Sequence, residues 1–500
     1  MSVIEQQERS QAWPQLLPEL AEHITSFLPP NEVACTVRLV NKAAAVQFRA
    51  YTIVRLSSPV PEHAFKQQWC RPGATRGLTL NQRQKLLCLT ARSGCIPNLE
   101  VIIANVGILL LTVEVMRAAA SAGQLKVCQL LWQHGCPFEG ALRAAAGAGH
   151  QDICEWLLDN GGLDDTHAVY TAARGGHVGL LKWLLQQFRE PEEVRRWVDA
   201  VELCSAVATG CGLPELQWLM GKWQERLRLH ELQERYKSDI VGGAARSSTP
   251  DWREKVEWLE EQGFHTTTGV SYCAAACTDA LDRLRWLHSK GYKLEAEAAL
   301  YLARNGNVQA LEYLLSEEVR PEDWCSRMAF ACGLQAAAGG HLAALQLLHT
   351  HGCPMNEYIL ERAAQGEQLH VLVWLVEELG EAVQLSAKTF SAAAKSCNVA
   401  LLSWLRERGC PWDGEAFVKA ARAGGEEALE WLVEQGCPMP DDGNCYVSVA
   451  VNGDLATLRC LRRLGCPWGP PGHVYSGCVD RGCHASVLEW LRQEGCPVEV

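Results

Sequence analysis

Twenty-three cysteines and fifteen histidines are the side chains of this 500-residue chain best suited to chemistry. Their spacing argues against it. A zinc site draws its ligands from close pairs. No Cys-x-x-Cys occurs, and the nearest approaches, Cys273/Cys277 and Cys478/Cys483-His484, are isolated. His230-Glu231 lacks the second histidine of His-Glu-x-x-His. Neither Gly-x-x-x-x-Gly-Lys-Ser/Thr nor Gly-x-Ser-x-Gly is present, and Gly147/Gly149 and Gly175/Gly176 fill the turn of a repeat rather than a phosphate loop. The expectation is a protein with no catalytic residues, no cofactor and no metal, and hence not an enzyme.

The cysteines are also poorly placed for disulfides. Their number is odd, they are spread along the chain, no Asn-x-Ser/Thr sequon occurs, and the opening Met-Ser-Val-Ile-Glu-Gln-Gln-Glu-Arg lacks the apolar core of a signal peptide. Reduced thiols in the cytosol or nucleus are expected. The longest apolar run, Val101–Val115, is interrupted by Asn105, Gly107 and Glu114 and is too short to span a bilayer.

What organises these residues is a repeat. Gly-Cys-Pro stands at Gly135, Gly352, Gly409, Gly436, Gly465 and Gly495, and the last four copies follow one another at 27 to 30 residues. Five residues before the closing Gly, or its equivalent, lies a slot holding Trp156, Trp183, Trp218, Trp258, Trp286, Trp374, Trp404, Trp431 and Trp490, nine of the 18 tryptophans. Ile102, Leu130, Tyr313, Leu347 and Cys460 fill it elsewhere, which makes fourteen units. Trp374 needs latitude, since it precedes its Gly by six.

Upstream of the slot runs an alanine-rich phrase, as in Thr171-Ala-Ala-Arg-Gly-Gly-His177 and Ala336-Ala-Ala-Gly-Gly-His341. Alanine favours helix, the Gly suits a left-handed terminus, and His177, Asn307 or Asp454 can begin the next helix. In Val-Leu-Glu-Trp-Leu (487–491) the spacing puts Val487, Trp490 and Leu491 on one helical face, and the Pro after Gly-Cys forbids continuation. One unit is helix, tight turn, helix, loop. Stacking such units makes recognition of a partner the default function.

Over residues 84–500 this pattern resembles the ankyrin repeat. The Thr-Pro-Leu-His opening is missing and most units are about five residues shorter than the usual ~33, so the family's projecting hairpins reduce to short turns. The resemblance implies an all-α, ankyrin-like solenoid of about 14 helix–turn–helix units that binds an unidentified protein on the concave face lined by first helices and loops. The nine tryptophans are expected to form the core between units. The Gly-Cys-Pro cysteine reads as a small buried group.

Residue 138, 355, 412, 439 or 468, the one after Gly-Cys-Pro, is Phe138, Met355, Trp412, Met439 or Trp468, with Val498 last. Acids such as Asp413 follow it. These side chains either form a ladder for a basic, partly apolar partner or staple each loop to the next unit. The charged stretch Lys222–Lys237, within the longest spacing, reads as an extended helix or solvated arm.

The first residues differ. After a flexible stretch (1–12), residues 13–56 carry Leu17-Pro18-Glu19-Leu20, then Ile24, Phe27-Leu28 and Arg38-Leu-Val-Asn-Lys42. Leu17, Leu20, Ile24 and Phe27/Leu28 make a helical stripe, and Asn31 is expected to cap a second helix bearing Val33, Val37 and Val40. This segment resembles an F-box, which implies binding of a Skp-type adaptor of a ubiquitin ligase through Leu17, Pro18, Leu20, Ile24, Leu28, Val37 and Arg38. The alternative is a helical cap on the array. Residues 57–83 read as an irregular connector.

Charge is uneven. Residues 38–92 hold ten Lys/Arg against the single acid Glu62, whereas 101–500 hold 35 basic and 51 acidic side chains within a net charge of −12. An acidic array argues against nucleic acid, and the basic stretch could meet an acidic partner.

Overall fold

The computed structural model describes residues 17–161, 166–187, 197–227, 233–264, 268–380 and 383–498. The expected flexible N-terminus, residues 13–16 and residues 228–232 of the charged stretch lie outside them. The described parts of Met1–Arg76, Gln82–Ala145 and Asp152–Gly162 form one compact unit, and those of Gly77–Asn81, Ala146–Gln151 and Leu163–Val500 a second. Among the described residues there is helix and no strand. Fourteen helix pairs follow one another, from Leu80–Ser93 with Ile96–Val106 to His473–Asp480 with Ala485–Gln493. This is an α-solenoid fold.

Within a pair the two helices bury different residues. First helices pack on the first helices of neighbouring pairs, as His167–Arg174 does on Trp197–Gly210 and Glu297–Asn305 on Ser326–Gly339. Alanine pairs such as Ala172/Ala173, Ala336/Ala337 and Ala393/Ala394 lie in these contacts fully buried, which lets the backbones approach. On second helices the buried residue is the leucine after the tryptophan slot: Leu157, Leu184, Leu219, Leu259, Leu287, Leu405, Leu432 and Leu491.

The slot itself is the core position expected from the sequence in only part of the array, where Ile102 and Cys460 fill it fully buried. Trp374 and Trp490 are buried, Trp156, Trp183, Trp258, Trp286, Trp404 and Trp431 are half-buried, and Trp218 is 41% exposed. The inward stripe consists of the positions three and two before the slot and one after it, which puts the slot about 100° around the helix from the stripe's centre. From there the rings bridge successive second helices edge to face. Trp156 meets Trp132 at 6.1 Å between centroids, Trp286 meets Trp252 at 5.0 Å, and Trp374 meets His349 at 6.2 Å. Trp218 instead lies against two cations, Lys182 and Lys222, at 5.1 and 5.9 Å. The extra residue after Trp374 is absorbed by a π-helical turn over Trp374–Glu378.

Gly-Cys-Pro closes the second helix by a Schellman-type bond. Gly409 takes φ +72°, and the next N–H, of Cys410, donates to Leu405 O at 3.0 Å. Cys136, Cys353, Cys437, Cys466 and Cys496 repeat this bond to the leucine five before them. The thiol then turns back across the pair: Cys136 Sγ donates to Thr112 O and Cys410 Sγ to Ser386 O, both at 3.4 Å, and Cys437 Sγ to Asp413 O at 3.6 Å. Thr112, Ser386 and Asp413 are the N-cap residues of the first helix in the same pair. The cysteine thus ties the end of a unit to its beginning. All 23 cysteines are free thiols.

A second set of bonds joins several pairs to their successors. The carbonyls at the end of a first helix have no helical partner, and a side chain of the next unit reaches back to them. His341 Nε2 lies 2.9 Å from Arg304 O, and His370 Nε2 lies 2.8 Å from Gly340 O. Arg283 donates to Ala245 O at 2.7 Å, the fully buried Lys255 to Ala208 O at 2.9 Å, and Asn452 to Arg422 O at 3.4 Å. The turn glycines make room for this. A Cβ on Gly149 or Gly175 would overlap the ring of His177, and one on Gly306 the ring of His341. His341 stands at an N-cap without capping its helix, because its imidazole serves the preceding unit, whereas Asn307 and Asp454 do cap, accepting from Ala310 N and Thr457 N at 3.1 and 3.2 Å.

The connector is less irregular than expected. Glu62–Trp69 is a helix that buries Phe65 and packs on Ile96–Val106, and the first array helix begins at Leu80 rather than near residue 84.

Two measurements test this architecture. Leu405→Ala should destabilise the array by ~2–5 kcal/mol, whereas Trp218→Ala should cost less than ~1 kcal/mol, both read from urea midpoints; equal losses would return the slot to the core. Burial pushes the thiols of Cys353 and Cys437 up to about 11 and that of Cys410 up to about 12 from 9.0. The unfolded chain therefore loses these protons first, so stability should be unaffected by them below pH 9.0 and fall progressively from there towards pH about 11. A urea midpoint that stays flat over that window would show these thiols to be solvated.

Candidate protein-binding surfaces

The front segment builds its own small core. Prolines open its first two helices, Pro18–Thr25 and Pro30–Cys35, and Asn41 caps the third, Lys42–Gln47, by accepting from Ala44 N at 2.8 Å. Ala21, Val33, Val37, Ala44 and Phe48 pack together, with Leu28 against them. Leu28 and Val37 thus face inward, unlike the docking residues the resemblance implies, because a segment this short needs them to hold three helices together. Asn31 also departs from expectation. It is buried inside the second helix, whose N-cap is Pro29, and its carboxamide holds the chain at Arg55, Ser58 and Pro59.

Outside that core the segment is apolar to an unusual degree. Leu17, Leu20, Ile24, Phe27, Leu39, Val40 and Val46 are each between 45% and 76% exposed. Pro18 is exposed beside them, and Arg38 is half-buried. Apolar residues left outside while others fill the core mark an interaction face.

On the array, the residues after Gly-Cys-Pro pack down. Met355 is buried, and Phe138, Trp412, Met439 and Trp468 are half-buried. Trp412 stands edge-on to Phe390 of the first helix, 5.3 Å between centroids, with the Arg406 guanidinium 3.9 Å over its other side. Trp468 lies 4.0 Å from Tyr446 with Arg462 4.8 Å away. Asp413 is exposed and caps Gly414–Ala423, accepting from Glu415 N.

A different row includes two exposed rings, which reasoning from the Gly-Cys-Pro phrase missed. Tyr272, Tyr301, Phe330 and Tyr358 lie on four successive first helices of the second unit. Tyr272 stacks on Tyr301 at 6.2 Å, and Phe330 meets Tyr358 at 6.4 Å. Tyr301 and Tyr358 are exposed, and the other two are half-buried. Their spacings of 29, 29 and 28 residues match the repeat, so a search for exposed aromatics in register would have found them.

A cleft of about 470 Å³ is lined by Tyr292, Glu295, Arg320 and Asp323 among others. Glu295 accepts from Gly269 N and Ser271 Oγ, and Asp323 from Ala296 N, so both carboxylates cap backbone. Among the described residues no cluster of three His, Cys, Asp or Glu could hold a metal ion, and no helix is long and apolar enough to cross a membrane.

Comparison with known proteins agrees with the repeat. The family model described as ankyrin repeats, in three copies, matches residues 87–194. No curated protein matches the chain. Among solved structures, the chain is similar to the crystal structure of the pentatricopeptide repeat protein PPR10 from maize, at 13% identity over 97% of this chain and 76% of that one, with a TM-score of 0.26.

Removing the packed aromatics and the free ones should have opposite consequences. Trp412→Ser/Trp468→Ser should lower the stability of the array by ~2–4 kcal/mol, and Tyr301→Ser/Tyr358→Ser should leave it within ~1 kcal/mol. Urea denaturation followed by circular dichroism separates the two pairs, and a stable Trp412/Trp468 double variant would restore those residues as a partner ladder.

Proposed function

We propose that this chain is a non-enzymatic recognition scaffold whose helical repeats bind a protein partner, and whose front segment docks on a Skp-type adaptor, making it a substrate receptor of a cullin-RING ubiquitin ligase in the cytosol or nucleus. The observation that carries the second half is the exposed apolar face of residues 17–46: a segment serving only as a cap has no use for Leu17, Leu20, Ile24 and Phe27 outside its own core. Ankyrin repeats are general protein-binding modules, and the match over residues 87–194 supports the first half. On the array the free aromatic row from Tyr272 to Tyr358 is the stronger candidate surface, since exposed tyrosines offer large contact area at little entropic cost.

Co-expression with a Skp-type adaptor tests the assignment. The full chain should retain the adaptor through size exclusion, and Leu20→Asp/Ile24→Asp should lose it while keeping its thermal transition, because both side chains lie outside the core. Failure of the unaltered chain to retain the adaptor would leave the repeats as a plain recognition scaffold.

A further inference from the structure

Residues 51–55, Tyr-Thr-Ile-Val-Arg, leave the front segment as a run rich in β-branched residues. All five are exposed, Ile53 at 74%. Both ends are held. At one, Tyr51 N donates to Phe48 O at 2.9 Å and its ring stands edge-on to Phe48. At the other, Arg55 N donates to Asn31 Oδ1 at 2.9 Å while Arg55 O accepts from Asn31 Nδ2 at 2.8 Å. The N–H and C=O of one residue point to the same side only in extended backbone, so the buried Asn31 amide acts as a neighbouring strand would. Alternation along the strand then turns the N–H and C=O of Thr52 and Val54 to the opposite side. Among the described residues no hydrogen bond reaches the backbone of Thr52, Ile53 or Val54.

An anchored, extended run with one unsatisfied polar edge is a template for strand addition. We infer that residues 51–55 form a docking edge for an extended acidic segment of a partner protein. Charge selects this occupant. Arg49 and Arg55 bracket the run inside a stretch, 38–92, that holds ten basic side chains and one acid. A second copy of the chain would bring the same basic stretch and be repelled, whereas an acidic strand is attracted and pairs its backbone with Thr52 and Val54. The inference does not rest on the adaptor reading.

The test uses the full chain and a fluorescein-labelled peptide of about seven residues alternating glutamate and valine, followed by anisotropy at low salt. The unaltered protein should bind it. A peptide N-methylated along one edge, Val54→Pro, and Arg49→Glu/Arg55→Glu should each weaken binding by at least about tenfold, whereas Val54→Thr should stay within about twofold. The N-methylated peptide leaves the protein untouched, so its result stands even if Val54→Pro lowers the thermal transition. No binding by the unaltered protein, or equal binding of the N-methylated peptide, overturns the inference, the latter by reducing the attraction to charge alone. Self-association through Ile53, seen as a concentration-dependent dimer abolished by Ile53→Pro, would also overturn it in favour of a second copy.

Discussion

The stack depends on how each first helix ends. Its last carbonyls lie at the joint with the next pair and have no helical N–H to follow them. The bonds that Ala245 O and Ala208 O accept are buried, and those to Arg304 O, Gly340 O and Arg422 O lie nearer the surface. In five units a donor from the next pair meets these carbonyls: His341, His370, Arg283, Lys255 or Asn452. The donor varies while the target does not, so the constraint is the unsatisfied carbonyl rather than any one side chain. The alanines and glycines of the first helix and its turn follow from it, since only small residues let the next unit come close enough for these bonds to form.

Much of the fold was legible because this constraint writes a periodic signature. Ala-Ala, Gly-His and Gly-Cys-Pro mark where helices must touch, turn and stop, and fourteen helix pairs stand where fourteen units are read. The tryptophan slot is a core position in only some units, for a physical reason. Abundance at a fixed position shows that a residue is needed, not that it faces inward, and a large ring is as useful bridging second helices from outside as filling the core. The helix over Glu62–Trp69 was missed since a single buried aromatic, Phe65, leaves no period to detect.

The candidate surfaces were harder to see. Leu28 and Val37 carry the same apolar signal as Leu20 and Ile24, and only the three-dimensional packing tells which pair closes the core and which stays outside. Likewise the residues after Gly-Cys-Pro are apolar in every copy, yet Trp412 and Trp468 lie between an arginine and a first-helix aromatic, where they brace the loop. The aromatics on first helices are easy to pass over, because they recur in register over only four units, and exposure at Tyr301 and Tyr358 is visible only in the structure.

The backward reach of these donors gives the array a direction. A first helix acquires partners for its final carbonyls only once the succeeding unit has folded against it, as Arg304 O waits for His341 and Ala245 O for Arg283. During synthesis from the amino end, each emerging unit would complete the one before it while remaining unfinished itself. The completed end of each such helix is thus a property of two neighbouring units rather than of one.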